Sequence, residues 1–82
     1  MYKTLHSPEN ARLTAWLKEQ RESKGLTMRA LAAKLGLPHS FIGKVEQGER
    51  RLDVVEYVQY CNTLGICPLE GIQLISQKKD CQ

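Results

Sequence analysis

The sequence has little of what announces most chemistries. Its three cysteines, Cys61, Cys67 and Cys81, are an odd number without the spacing of zinc ligands, and its two histidines, His6 and His39, lie far from them along the chain. That pattern offers no metal site and fits a reduced, cytoplasmic setting. No apolar run approaches the length of a membrane span, and the opening Met-Tyr-Lys-Thr-Leu-His lacks the apolar core of a signal peptide. Paired carboxylates, a nucleophile–base constellation and a glycine-rich phosphate loop are all missing, so the expectation is a chain that is not an enzyme and takes no cofactor. Internal repeats, low-complexity segments and linkers are missing too, and every polar cluster reads as a cap or a short turn, which leaves room for one domain. A chain of 82 residues buries only about 60% of the surface that its unfolded form exposes, so an elaborate active site is not expected.

What is present is helical periodicity punctuated by caps. Ser7-Pro8 opens a first helix that runs to about Lys24, because a serine hydroxyl can cap free amides and proline loses nothing at the first helical position. Leu13 and Leu17 form its buried stripe, with Trp16 a further candidate, and Gly25 ends it. Thr27 caps a second helix, although Ala30 stands where a glutamate or glutamine would complete a capping box. Two short amphipathic patterns, 27–35 and 38–47, then meet at Gly36. A glycine with positive φ at a helix end permits an abrupt reversal, so the second pattern must cross the first; this is helix-turn-helix spacing. Leu31, Ala32 and Leu35 line one face before the turn and Ile42 and Val45 one face after it, leaving His39, Ser40, Gly43 and Lys44 on the opposite side. Pro38 stands in the first turn of the third helix and Gly48 supplies its left-handed exit. Asp53 and Glu56 can cap a fourth helix reciprocally; Val54, Tyr57, Val58, Cys61 and Leu64 make its core stripe, and Gly65 closes it. Pro68 opens a fifth, with Leu69, Ile72 and Ile75 repeating every third residue. The expected organisation is an N-terminal arm over 1–7, a helical domain over 8–76 and a frayed tail over 77–82.

The charge is unevenly divided. Between Lys18 and Arg51 the formal balance is +4, and between Asp53 and Ser76 it is −3. Such polarity suits one face turned toward phosphates and another toward a different partner. Backbone donors at a helix start bind anions, so the Met28 amide with Thr27 and Arg29 can hold one phosphate, and Arg50 and Arg51 another. In the acidic half, Val55 and Tyr60 lean outward from the predicted stripe of the fourth helix, and Leu69, Ile72 and Ile75 add apolar surface beyond what one core needs. These five residues are the expected surface of a homodimer, symmetric dimers being the commonest oligomers.

The run LTMRALAAKLGLPHSFIGKVEQGERRL resembles the helix-turn-helix of the lambda-repressor-like family, also called the XRE family. Ala32 in the first helix of the motif, Gly36 in the turn, Ile42 and Val45 in the second helix and the closing Glu46-Gln47-Gly48 carry the resemblance, which extends from about Leu13 to about Ile75. It implies an all-α, compact five-helix domain whose third helix docks in the major groove of double-stranded DNA. The residues facing base edges would be Pro38, His39, Ser40 and Lys44, with Gly43 allowing close approach. Lysine can donate to guanine O6 and N7, and serine can donate to or accept from several bases. Arg21 and Glu46 match a pair that forms an internal salt bridge in relatives, a structural role. Many relatives carry glutamine at the place of Met28, where its side chain bridges phosphate and recognition helix; a thioether cannot do so. The resemblance thus implies a transcriptional regulator, a repressor in the first instance, binding an inverted repeat as a dimer. Such a regulator can also touch the polymerase; the alternative is a protein-interaction module, such as an antitoxin binding a toxin or an adaptor, that keeps the fold and binds a protein partner.

Overall fold

The Ser7 hydroxyl accepts from the Asn10 amide at 3.1 Å and starts the first of five helices, α1 (Pro8–Ser23). It is followed by α2 (Met28–Leu35), α3 (His39–Glu46), α4 (Val54–Leu64) and α5 (Pro68–Ser76). This computed structural model describes residues 7–76; the expected arm, apart from Ser7, and the expected tail lie outside them. The described residues contain no strand, and none of their helices is long and apolar enough to cross a membrane.

Several helix ends have a local cause. Thr27 Oγ1 accepts from the Ala30 amide at 3.0 Å. Asp53 and Glu56 complete a capping box, Asp53 Oδ1 accepting from the Glu56 amide at 2.7 Å and Glu56 Oε1 from the Asp53 amide at 3.0 Å. Between α2 and α3, Gly36 adopts φ 73°, and the Leu37 amide reaches back to the Ala32 carbonyl at 2.9 Å. That six-to-one bond satisfies an orphan carbonyl and turns the chain at once, which is why α3 crosses α2. Pro38 does not open α3 as its first helical residue; it stands one place earlier, in extended conformation, as an N-cap without a side-chain hydrogen bond.

Leu17, Leu31, Ile42, Val45 and Cys61 lose all solvent exposure at the centre, with Ala32, Tyr57, Tyr60 and Leu64 around them. The buried stripe of α4 is therefore Tyr57, Tyr60, Cys61 and Leu64, rotated from the expected one: Val54 is 77% and Val58 37% exposed, whereas Tyr60, expected at a dimer surface, is 1% exposed. Both stripes satisfy helical spacing and share Tyr57, Cys61 and Leu64, so periodicity alone cannot choose between their shoulders. The area of a tyrosine ring decides, since a large aromatic gains more from burial than a valine does. Ile75 also departs from expectation, lying half-buried beside Leu13, Leu17 and Leu52 around a cavity of about 190 Å³. A three-residue repeat drifts about 60° around a helix at each step, so Leu69 and Ile75 cannot share a face.

Helix α5 is docked by two devices. The Tyr57 hydroxyl, between α4 and α5, donates to the Pro68 carbonyl, and burial pushes this phenol well above the usual range. Gly71 is buried against α1 and α4; a methyl added there would fall 2.7 Å from Trp16 Cζ3, 3.1 Å from Leu13 Cδ1, and onto the Tyr57 hydroxyl. Helix propensity alone would have Gly71→Ala stabilise by about 1 kcal/mol. The packing reverses the sign: the substitution is expected to cost about 1–3 kcal/mol through overpacking, read as a lowered urea midpoint.

Candidate nucleic-acid interface

The outward face of α3 is built by its inward one. Ile42 and Val45 are fully buried, which fixes the helix rotationally and leaves His39, Ser40, Lys44 and Gln47 exposed with Gly43 among them. Among the described residues the side chains of His39, Ser40 and Lys44 make no hydrogen bond or ion pair, so their donors and acceptors remain available to a partner. The helix also starts without a side-chain cap, so its first amides add positive potential beside Ser40. Pro38 is exposed at the same end.

Met28 and Thr27 lie at the start of α2. The Met28 sulfur sits 3.9 Å from where a Cβ on Gly43 would be, in ordinary van der Waals contact, so the beginning of α2 abuts the middle of α3. Thr27 spends a lone pair on the Ala30 amide but keeps its hydroxyl proton to donate, and Arg29 beside it is exposed. These three residues form one cluster suited to an anion.

The second expected clamp is more committed. Arg50 Nη2 pairs with Glu56 Oε2 at 2.7 Å, and its guanidinium stacks 4.7 Å from the centroid of the Phe41 ring. Arg51 Nη2 donates to Ser7 Oγ at 3.2 Å. Both arginines remain exposed, but each already serves the protein, Arg50 by joining the loop after α3 to the cap of α4 and Arg51 by tying that loop to the start of α1. Sequence spacing placed them in a loop and could not reveal these partners. Phe41 is half-buried against the core beneath Arg50, which removes it from the reading face.

Behind the interface, Arg21 and Glu46 meet as a bidentate pair, Nε to Oε2 at 2.7 Å and Nη2 to Oε1 at 3.1 Å, with side-chain exposures of 8% and 3%. Arg21 Nη1 also donates to the Leu26 carbonyl at 2.7 Å. The hydrogen bonds to Glu46 raise the pKa of the guanidinium further. Tyr60 packs into the same region, its buried hydroxyl without a partner among the described residues, and its phenol is pushed above the usual range by desolvation first and by the Glu46 charge second.

A family model described as helix-turn-helix matches residues 17–72. Among solved structures, an XRE-family like protein from Pseudomonas syringae pv. tomato str. DC3000 is 38% identical with a TM-score of 0.79, over 87% of each chain. The restriction-modification controller protein C.AhdI from Aeromonas hydrophila is 32% identical with a TM-score of 0.74, over 79% of this chain and 98% of that one. The clp gene regulator ClgR from C. glutamicum shares the fold, at 21% identity and a TM-score of 0.76, over 94% of this chain and 100% of that one. No curated protein matches.

The buried pair gives a test of what holds the reading helix. Removing one partner strands the other charge in the interior, so Glu46→Ala is expected to lose about 3–5 kcal/mol of unfolding free energy. A chemical-denaturation curve for Glu46→Ala that overlays the unaltered one would show that the pair contributes nothing.

Proposed function

Because the chain belongs to the XRE family of helix-turn-helix regulators, we propose that it is a sequence-specific DNA-binding repressor that lays α3 in the major groove of an inverted-repeat operator. The observation that carries this reading is the two-sidedness of α3: a fully buried apolar side anchors it, while His39, Ser40 and Lys44 face solvent without protein partners among the described residues. In this reading Lys44 donates to guanine, and Ser40 and His39 meet bases near the helix start, where Pro38 also approaches the groove. Gly43 lets the backbone come close. The Thr27–Met28–Arg29 cluster holds a phosphate through backbone amides and the arginine. Arg51 and Arg50 add positive potential on the far side of α3, and must share their donors with Ser7 and Glu56 when they take a phosphate. Likeness to a restriction-modification controller at 32% identity supports a regulatory role for a chain of this size.

The partner surface is revised by the packing. Val55 is 65%, Leu69 66% and Ile72 46% exposed, and these carry the proposed homodimer contact; Tyr60 and Ile75 do not. Val54, missed because it read as core, is 77% exposed and extends the apolar surface at the start of α4. A two-fold dimer formed there would set two α3 helices about 34 Å apart along one face of DNA, one helical turn, which is the spacing an inverted repeat requires.

Two measurements test the proposal. In a fluorescence-anisotropy titration against a selected duplex, Lys44→Ala should weaken binding by about 1–3 kcal/mol and relax preference at one base pair per half-site. Equal affinity for selected and random duplexes, with no steep fall as salt rises, would sink the reading. Ile72→Glu should sediment as a monomer at concentrations where the unaltered chain is a dimer, and should lose the requirement for a second half-site. Co-purification with an unrelated protein, insensitive to changes at His39, Ser40 and Lys44, would favour an interaction module instead.

A further inference from the structure

Gly43 occupies the outward face of α3, flanked by Ser40 one turn before it and by Lys44 beside it. A glycine inside a helix is less favourable than alanine, and among the described residues nothing demands it here: the nearest foreign atom to an added methyl would be the Met28 sulfur, at an ordinary 3.9 Å. Gly71 is the contrasting case, where three side chains exclude a methyl. At Gly43 the space left by the missing side chain opens toward solvent and is bordered from the neighbouring helix by a half-buried thioether.

That thioether packs partly against the hydrophobic core and partly against Gly43 of the facing helix, on which Ser40 and Lys44 are exposed, and exposed Thr27 precedes it in the chain. Phe41 on α3 is packed against the core and covered by Arg50, whereas Leu37 and Pro38 just before the helix are exposed. The Met28–Gly43 contact thus adds an apolar seat, contributed by α2, beside the hydrogen-bonding side chains of Ser40 and Lys44. In the major groove, thymine is the base that offers a methyl group, and an apolar side chain is what recognises it. Sulfur in an unbranched chain is soft and adaptable enough to pack against such a group.

We infer that Met28, seated against Gly43, reads the 5-methyl group of a pyrimidine, thymine or 5-methylcytosine, at one position of each half-site. This rests on the proposed docking of α3 in the major groove and adds a specificity-determining residue contributed by α2. Lys44 and Ser40 select hydrogen-bonding edges, whereas Met28 selects a methyl.

The test uses the full chain and a duplex selected from a random-sequence pool, with each thymine replaced in turn by deoxyuridine, which lacks only the methyl. One position per half-site should lose about two- to fivefold in affinity, the effect of exposing a single buried methyl. Met28→Gln should abolish that loss at that position, and Met28→Leu should retain it. At the same position, 5-methylcytosine should bind better than cytosine by a similar factor. The inference is overturned if no thymine shows the loss, or if the loss persists unchanged in Met28→Gln. The deoxyuridine series with the unaltered chain needs no substitution, so it decides the first point even if Met28→Gln loosens the fold. Failure to enrich any duplex from the pool would instead overturn the docking of α3 itself.

Discussion

The arrangement depends on one buried ion pair. Arg21 is at the C-terminal end of α1 and Glu46 is the last residue of α3, so their two hydrogen bonds fix the reading helix to the longest helix of the domain. A third bond, to the Leu26 carbonyl, holds the link that leads into α2. One guanidinium thereby fastens three segments whose relative placement sets the pitch of α3. Every donor spent in this way is withdrawn from solvent, which is why an arginine in the basic half has no part in the proposed interface. The hydrophobic packing of Ile42 and Val45 supplies cohesion beneath α3, but apolar contacts are weakly directional; the bidentate pair supplies direction.

Much of this was legible along the chain because the signals are local. Ser7, Thr27, Asp53 with Glu56, and the glycines after α2 and α4 act through atoms a few residues away, so the helix boundaries follow from chemistry that spacing displays. What the sequence did not resolve concerns choices made between helices. Tyr60 and Val58 sit on opposite shoulders of the same periodic stripe, and the larger apolar area of the ring, which packs near Arg21 and Glu46, selects it over the valine. The commitments of Arg50 and Arg51 depend on Glu56, Phe41 and Ser7, whose proximity is a product of the fold. The three-residue apolar repeat of α5 winds around the helix, so its members part between the exposed Leu69 and Ile72 and the half-buried Ile75. In the candidate interface the exposure of His39, Ser40 and Lys44 follows from the helical pattern, but the apposition of Met28 and Gly43 does not, because it joins two helices across their crossing.

The two interior glycines in helices illustrate how one residue type answers opposite demands. Gly71 is required from within, since α1 and α4 leave it no volume. Gly43 lies on the outward side of α3 and, among the described residues, an added methyl there would meet one side chain at an unstrained distance. Their positions divide the molecule as its charges do: the glycine that serves cohesion lies in the acidic half, and the one that opens a surface lies in the basic half.

Glu56 has a consequence beyond capping. One of its carboxylate oxygens holds the backbone amide that begins α4, and the other holds Arg50 on the segment leaving α3. Two parts of the chain thus meet at a single side chain, the start of the helix bearing Val54 and Val55 and the segment that leaves α3. The start of α4 and the segment behind α3 therefore share one fastening, and loss of that single carboxylate would release both.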